Sequence, residues 1–127
     1  MTVARHGSGG PWEDRYGYSR VVTTDNQAWV AGCTSVVDGE VVYDGDAAAQ
    51  ARVAFGVAID ALGAAGFAID DVVRTRMFVV DIPRNGDAVA RVHGEVFAGA
   101  RPASTLVGVT ALVDPRMLVE VEVDAHR

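Results

Sequence analysis

The chain reads as an α+β protein, a mixed β-sheet with two helices packed on one of its faces. Three observations predict this. Two segments carry apolar residues at helical spacing: Ala51, Ala54, Phe55, Ala58, Ala61, Leu62 and Ala65, then Val89, Val92 and Val96. Other runs alternate as half-buried strands do. The clearest is Leu118 to Asp124, where Val119, Val121 and Val123 point one way and Glu120, Glu122 and Asp124 the other. The pieces follow the order β-β-β-α-β-α-β-β with no linker, repeat or low-complexity tract, so residues 1–127 are expected to form one domain.

In chain order, Gly7-Ser8-Gly9-Gly10-Pro11 predicts an irregular arm, mobile or docked. Tyr18 to Thr23 and Ala28 to Ala31 predict a hairpin around Thr24-Asp25-Asn26-Gln27. A second hairpin is expected where Val36-Val37 and Val41-Val42 flank Asp38-Gly39, a pair suited to the positive φ angles of a tight turn. Asp44-Gly45-Asp46 introduces the long helix and Gly66 closes it. Its alanine stripe predicts close approach to a sheet. Asp70 to Asp81 is expected as a strand stopped by Pro83, with the second helix starting near Asn85-Gly86-Asp87. Thr105 to Leu112 forms a strand, Asp114-Pro115 a turn and Leu118 to Asp124 the last strand.

Two helices can cover only one face of such a sheet. On the strand from Thr105, Thr105, Val107, Val109 and Ala111 share a face, and Leu106, Gly108 and Thr110 share the opposite one. The uncovered face is expected to expose Leu106 beside the carboxylates of the last strand, inviting solvent or another subunit.

Composition narrows the function. The net charge is −6, from 17 acidic and 11 basic residues, and the chain holds no lysine and no arginine cluster. Nucleic-acid binding rests on cations that neutralise phosphates, so this balance argues against it. Cys33 is the only cysteine, which excludes an intrachain disulfide and fits a reducing, cytoplasmic setting. No apolar run suggests a signal peptide near the N-terminus, and the longer runs are expected to fall short of a membrane span. His6, His93 and His126 lack ligand spacing, so neither a metal nor another cofactor is expected.

The run Arg101-Pro102-Ala103-Ser104-Thr105-Leu106-Val107, followed by Leu118-Val119-Glu120-Val121-Glu122-Val123, resembles the signature of the RidA family (YjgF/YER057c/UK114). Its usual form is Pro-Ala-Arg-Ser, a strand, then Val-Glu-Ile-Glu. Gly17-Tyr18-Ser19-Arg20, Val30-Ala31-Gly32, Ala61-Leu62-Gly63-Ala64-Ala65-Gly66 and Asp70-Asp71-Val72-Val73-Arg74 fall in the family's order and spacing. The resemblance implies a chorismate-mutase-like fold and a homotrimer closed on a central barrel, with small-molecule clefts between neighbours. It also implies hydrolysis of an imine or enamine C=N bond to a carbonyl and ammonia.

Ser104 stands where the signature has arginine. In deaminating members that arginine grips the carboxylate of a 2-imino acid. A guanidinium makes paired, charge-assisted hydrogen bonds to a carboxylate, whereas serine offers one neutral hydroxyl. The departure implies either a substrate other than the usual 2-imino acids or a trimeric ligand-binding or sensor protein without turnover.

The resemblance also supplies the site residues. Glu120 matches the family's cleft glutamate, a catalytic group that positions or activates water; its alternative is a solvated residue or a partner for Arg74 or Arg76. Tyr18 matches the cleft tyrosine, with a core aromatic as the alternative. Gly32 matches the glycine whose backbone approaches the ligand, and Cys33 follows it, equally readable as a buried filler. Ser104, Thr105 and Leu106 complete the ligand-binding set. Pro11-Trp12-Glu13 resembles an N-terminal motif of a subgroup lacking the arginine, where the arm closes over the cleft or Trp12 merely pins the terminus. Arg20 and Arg101 are either replacement anion binders or surface residues. His93 is expected to pack or cap.

Overall fold

The structure, a computed structural model, describes residues 2–127. Six strands form one mixed sheet: β1 (Ala4–His6), β2 (Val21–Thr23), β3 (Gln27–Cys33), β6 (Val72–Val80), β7 (Ala103–Val109) and β8 (Val119–His126), in the order β1-β2-β3-β8-β6-β7. Only β6 and β7 run parallel; the other pairs are antiparallel. β4 (Val36–Val37) and β5 (Glu40–Val41) make a separate hairpin. Its turn uses positive φ at both Asp38 (51°) and Gly39 (81°), as the Asp-Gly pair predicts.

Two long helices cover one face. Helix α2 (Ala47–Ala64) is N-capped by Asp46, whose carboxylate accepts the Ala49 N–H at 3.0 Å. At its other end Gly66 takes φ +90°. Gly66 N–H then donates to Gly63 and Phe67 N–H to Leu62, the paired bonds of a Schellman closure. Ala51, Ala54, Phe55, Ala58 and Leu62 are fully buried, so the alanine stripe brings this helix onto the sheet. By length and composition α2 could span a bilayer, contrary to the expectation that apolar runs fall short; its buried stripe accounts for that character as a core helix. Gln50, also fully buried, donates to the carbonyls of Tyr43 and Arg116 and accepts from Leu118 N–H. It thereby fixes the start of β8.

Helix α3 (Ile82–Val96) begins earlier than expected. Pro83 lies in its first turn, where a missing N–H costs nothing, so the proline opens the helix rather than only stopping the strand. A 3₁₀ turn, Ile69–Asp71, takes the expected start of the preceding strand. The strand expected from Thr105 to Leu112 is β7, two residues earlier at its start and ending at Val109.

The N-terminal arm is irregular over Gly7 to Gly10, as expected, and it is docked. It lies between β1, which pairs with β2, and a short helix that Pro11 opens, α1 (Pro11–Tyr16). Glu13, only 8% exposed, anchors it. Its carboxylate accepts the Ser8 N–H at 2.9 Å and the Ser8 hydroxyl, and stands 3.9 Å from Arg20 Nε. Trp12 stays 53% exposed and stacks on Tyr16, so it is not what pins the arm.

Candidate functional site

The uncovered face carries the polar row of β8. Val119, Val121 and Val123 are buried under the helices, which turns Glu120, Glu122 and Asp124 to the open side. Arg76, on the neighbouring strand, pairs with Asp124 at 3.1 Å and Glu122 at 3.8 Å. The Glu120 carboxylate forms no ion pair or hydrogen bond among the described residues. Its pKa is pushed up from the ordinary carboxylate value, chiefly by burial and then by the charge of Glu122, while Arg20 opposes the rise.

Glu120 lies directly against Gly32. A Cβ built on that glycine would stand 2.8 Å from Glu120 Cδ and closer still to Oε2, so any side chain there would displace the carboxylate. The glycine sits in an irregularity of β3, where the pairing with β8 shifts register between Val30 and Cys33. Arg20 braces that irregularity. Its Nη1 donates to the carbonyls of Ala31 (3.1 Å) and Gly32 (2.7 Å) and contacts Cys33 Sγ (3.3 Å). The Tyr18 ring lies beside the guanidinium, its centroid 5.8 Å from Cζ, and is 40% exposed.

Four of the expected residues thus come together: Tyr18, Gly32, Cys33 and Glu120. Cys33 does so only through its backbone, because its thiol is 2% exposed within the core and burial pushes its pKa up. The filler reading of that cysteine fits the structure. A groove of about 890 Å³ on the same face runs past Tyr18, Trp29, Arg76 and Glu122.

Ser104, Thr105 and Leu106 lie elsewhere. β6 intervenes between β8 and β7, with Thr75 opposite Ser104, Arg76 opposite Thr105 and Met77 opposite Leu106. Thr75 and Met77 are buried toward the helices, so Ser104 and Leu106 face that side too. Leu106 is therefore not exposed beside the carboxylates. It packs partly buried against the core, and the open face carries instead Val107, 42% exposed, beside Phe78, and Trp29 opposite Asp124. Ser104 hydroxyl accepts from Thr75 Oγ1 at 2.8 Å, which also contacts His93 Nε2 at 2.7 Å. His93 packs between Phe55 and Phe97, and its burial lowers its pKa, so it packs as expected and stays neutral. Thr105 alone of the three is on the open face, where it accepts from Arg74 at 3.1 Å. Arg101 is exposed in the loop before β7.

Sequence reasoning missed Glu13 as a buried anchor and did not place Arg20 against Gly32. The only available signal for Glu13 was a carboxylate three residues after a glycine pair, too weak to mark burial.

Comparison with known proteins adds the lineage. Residues 13–127 match the profile of the family described as Endoribonuclease L-PSP. An uncharacterised protein of Streptomyces coelicolor is 42% identical over 126 residues, 98% of this chain and 92% of that one. The 3-aminoacrylate deaminase RutC of Acinetobacter baylyi is 34% identical over 110 residues, 86% of each chain. A crystal structure from Mycobacterium tuberculosis, of a member of the YjgF/YER057c/UK114 family, superposes with a TM-score of 0.88 at 41% identity, covering 99% of this chain and 100% of that one. With that architecture and a match running almost the length of the chain, the protein belongs to the RidA (YjgF/YER057c/UK114, Endoribonuclease L-PSP) family.

Proposed function

We propose that the chain hydrolyses the C=N bond of an imine or enamine to a carbonyl and ammonia, with Glu120 as acid–base and a substrate other than the usual 2-imino acids. One observation carries this reading: a half-buried carboxylate, raised in pKa, seated on a glycine and left without an ion pair while its neighbours on β8 share Arg76. Such a group is held ready to exchange protons. In the reaction R₂C=NH + H₂O → R₂C=O + NH₃, Glu120 takes a proton from water as the oxygen attacks the imine carbon. The nitrogen takes that proton from Glu120 as the C=N π pair moves onto it, which restores the carboxylate. Collapse of the aminol moves the hydroxyl proton to nitrogen through the same carboxylate and expels ammonia. The deaminase named for one relative supports this class of chemistry.

The active unit is proposed to be a homotrimer with clefts between subunits. Within one chain Ser104 and Glu120 face opposite sides of the sheet, so a cleft holding both draws them from two chains. The bare edge of β7, exposed at Ala103, Ser104, Thr105, Val107 and Gly108, offers a surface for that contact. The second reading, a trimeric binding or sensor protein without turnover, is favoured by Ser104, whose hydroxyl is already bonded to Thr75 and supplies no charge. A net charge of −6 without lysine weighs against acting on RNA. The deciding experiment generates imines in situ from amino acids and amines with an oxidase, then follows ammonia release by the wild-type protein and Glu120→Gln. Catalysis that depends on Glu120 supports the hydrolase; no acceleration with any imine leaves the binding protein.

A further inference from the structure

Arg20 is an unusual arginine. Its side chain is only 16% exposed, and Nη1 is committed to the Ala31 and Gly32 carbonyls and to Cys33 Sγ. Its Nε and Nη2 make no hydrogen bond among the described residues. The nearest carboxylate, Glu13, stands 3.9 Å from Nε with both oxygens engaged by Ser8. The free N–H groups are not sealed in the core either, since Arg74 Nε is the only fully buried side-chain nitrogen or oxygen lacking a partner among the described residues. The guanidinium is therefore fixed by one arm and open along another edge, with the Tyr18 ring beside it. Glu120 feels its charge without touching it.

The geometry points to Arg20 as the anion-binding group of the Glu120 site: its open edge holds the carboxylate of a small ligand, and the Tyr18 ring flanks that ligand. The inference rests on the proposed site at Glu120 but not on turnover there. A guanidinium already held by backbone carbonyls loses little rotamer freedom when it binds, and its planar fork matches a carboxylate. Glu13 tempers the grip, because a negative charge 3.9 Å away offsets part of the arginine's field while leaving its donors free. The ligand class is thus a small carboxylate held at Arg20, a different grip from one at position 104.

The test is an NMR titration with propanoate, using propanamide as its neutral counterpart, read on the Arg20 side-chain N–H signals and on affinity. Propanoate is expected to bind the wild type about tenfold or more tightly than propanamide, the scale of a charge-assisted hydrogen bond. Arg20→Gln should erase that preference, and Arg20→Lys should keep part of it. Equal affinities in the wild type, or an undiminished preference in a folded Arg20→Gln, overturn the assignment. Because Arg20 also braces β3, Glu13→Gln guards against simple unfolding: removing the opposing charge should tighten propanoate several-fold and leave propanamide unchanged. No tightening there counts equally against the assignment. Glu120→Gln separates the two readings. If it keeps the propanoate preference and all turnover, the acid–base assignment of Glu120 fails and the anion site stands. If it abolishes turnover while Arg20→Gln leaves the preference intact, the reverse holds.

Discussion

The Glu120 carboxylate rests on the bare α-carbon of Gly32, in space that a Cβ would occupy. This contact is local to one subunit and joins two separate stretches of the family pattern, Val30-Ala31-Gly32 and Val119-Glu120-Val121. The glycine is required by close approach, since its backbone is not in the left-handed region. The β3 irregularity, braced by Arg20, supplies the approach.

Gly32→Ala is accordingly expected to separate catalysis from folding. The clash falls on the far end of a flexible side chain, so Glu120 can swing aside, and the melting temperature should drop by only a few degrees. Imine hydrolysis should fall about as far as in Glu120→Gln, because the carboxylate is present but displaced. Parallel melts and ammonia-release assays check this; full activity in Gly32→Ala would show that the seat of the carboxylate is irrelevant.

Glu120→Gln should lower any turnover by about 10²-fold or more, the usual scale for losing a general acid–base group. Glu122→Gln is the control, since Glu122 pairs with Arg76. The stability effect has a definite sign. Folding raises the Glu120 pKa, so the native state binds this proton more readily than the unfolded chain does. The stability this group contributes is present below its unfolded pKa and lost as pH rises through the folded one. Relative to wild type, the glutamine variant should therefore gain melting temperature between pH 4 and pH 7. A constant difference across that range would remove the case for a raised pKa.

The same shift predicts a rate profile. A general base must be ionised, so kcat should fall on acidification through a pKa above the ordinary glutamate range, and Glu120→Gln should lose that limb of the profile. An acid limb that survives the substitution belongs to another group.

What the sequence made legible was whatever repeats locally. The Ala51 to Leu62 stripe, its Gly66 closure and the Val–Glu alternation of β8 are each written within a few residues, and each is found in place. The facing of Leu106 is not written locally. It follows from β6 lying between β8 and β7, a pairing set by the α3 crossover, which puts Leu106 beside Met77 under the helices. The anchoring of the arm by Glu13 depends on Ser8 and Arg20, and a glycine-rich stretch gave no periodicity to reveal it.

The proposed trimer is supported by two unprotected surfaces. β7 is a sheet edge with no covering element, and the open face leaves Trp29 and Val107 each about 40% exposed. Soluble chains rarely leave both uncovered. Light scattering or native mass measurement at micromolar concentration should give three times the 13.3 kDa chain mass. An arginine introduced at Val107, in the middle of that edge, should shift the protein toward monomer and abolish activity together. A wild-type monomer that retains turnover would place the whole site within one chain.

Position 104 gives the sharpest prediction on substrate choice. Ser104 carries no charge and its hydroxyl is taken by Thr75, so 2-iminopropionate finds no carboxylate grip at this position. With its carboxylate drawn to Arg20 instead, its imine carbon is not placed as a grip at position 104 would place it, and it should be a poor substrate of the wild type. Ser104 is exposed on an edge strand, so Ser104→Arg can be accommodated without burying an unpaired guanidinium in the single chain. The substitution sacrifices one neutral hydrogen bond, worth about 1 kcal/mol, and should cost no more than a few degrees of melting temperature. If the cleft joins this position to a neighbour's Glu120, the new arginine should raise kcat/KM for 2-iminopropionate by about tenfold or more. It should do so mainly through KM, because a carboxylate grip binds ground and transition states alike. The double substitution Ser104→Arg with Glu120→Gln should return activity to background. A gain that survives loss of Glu120 would mean that the introduced arginine, and not the proposed acid–base, accounts for the rate.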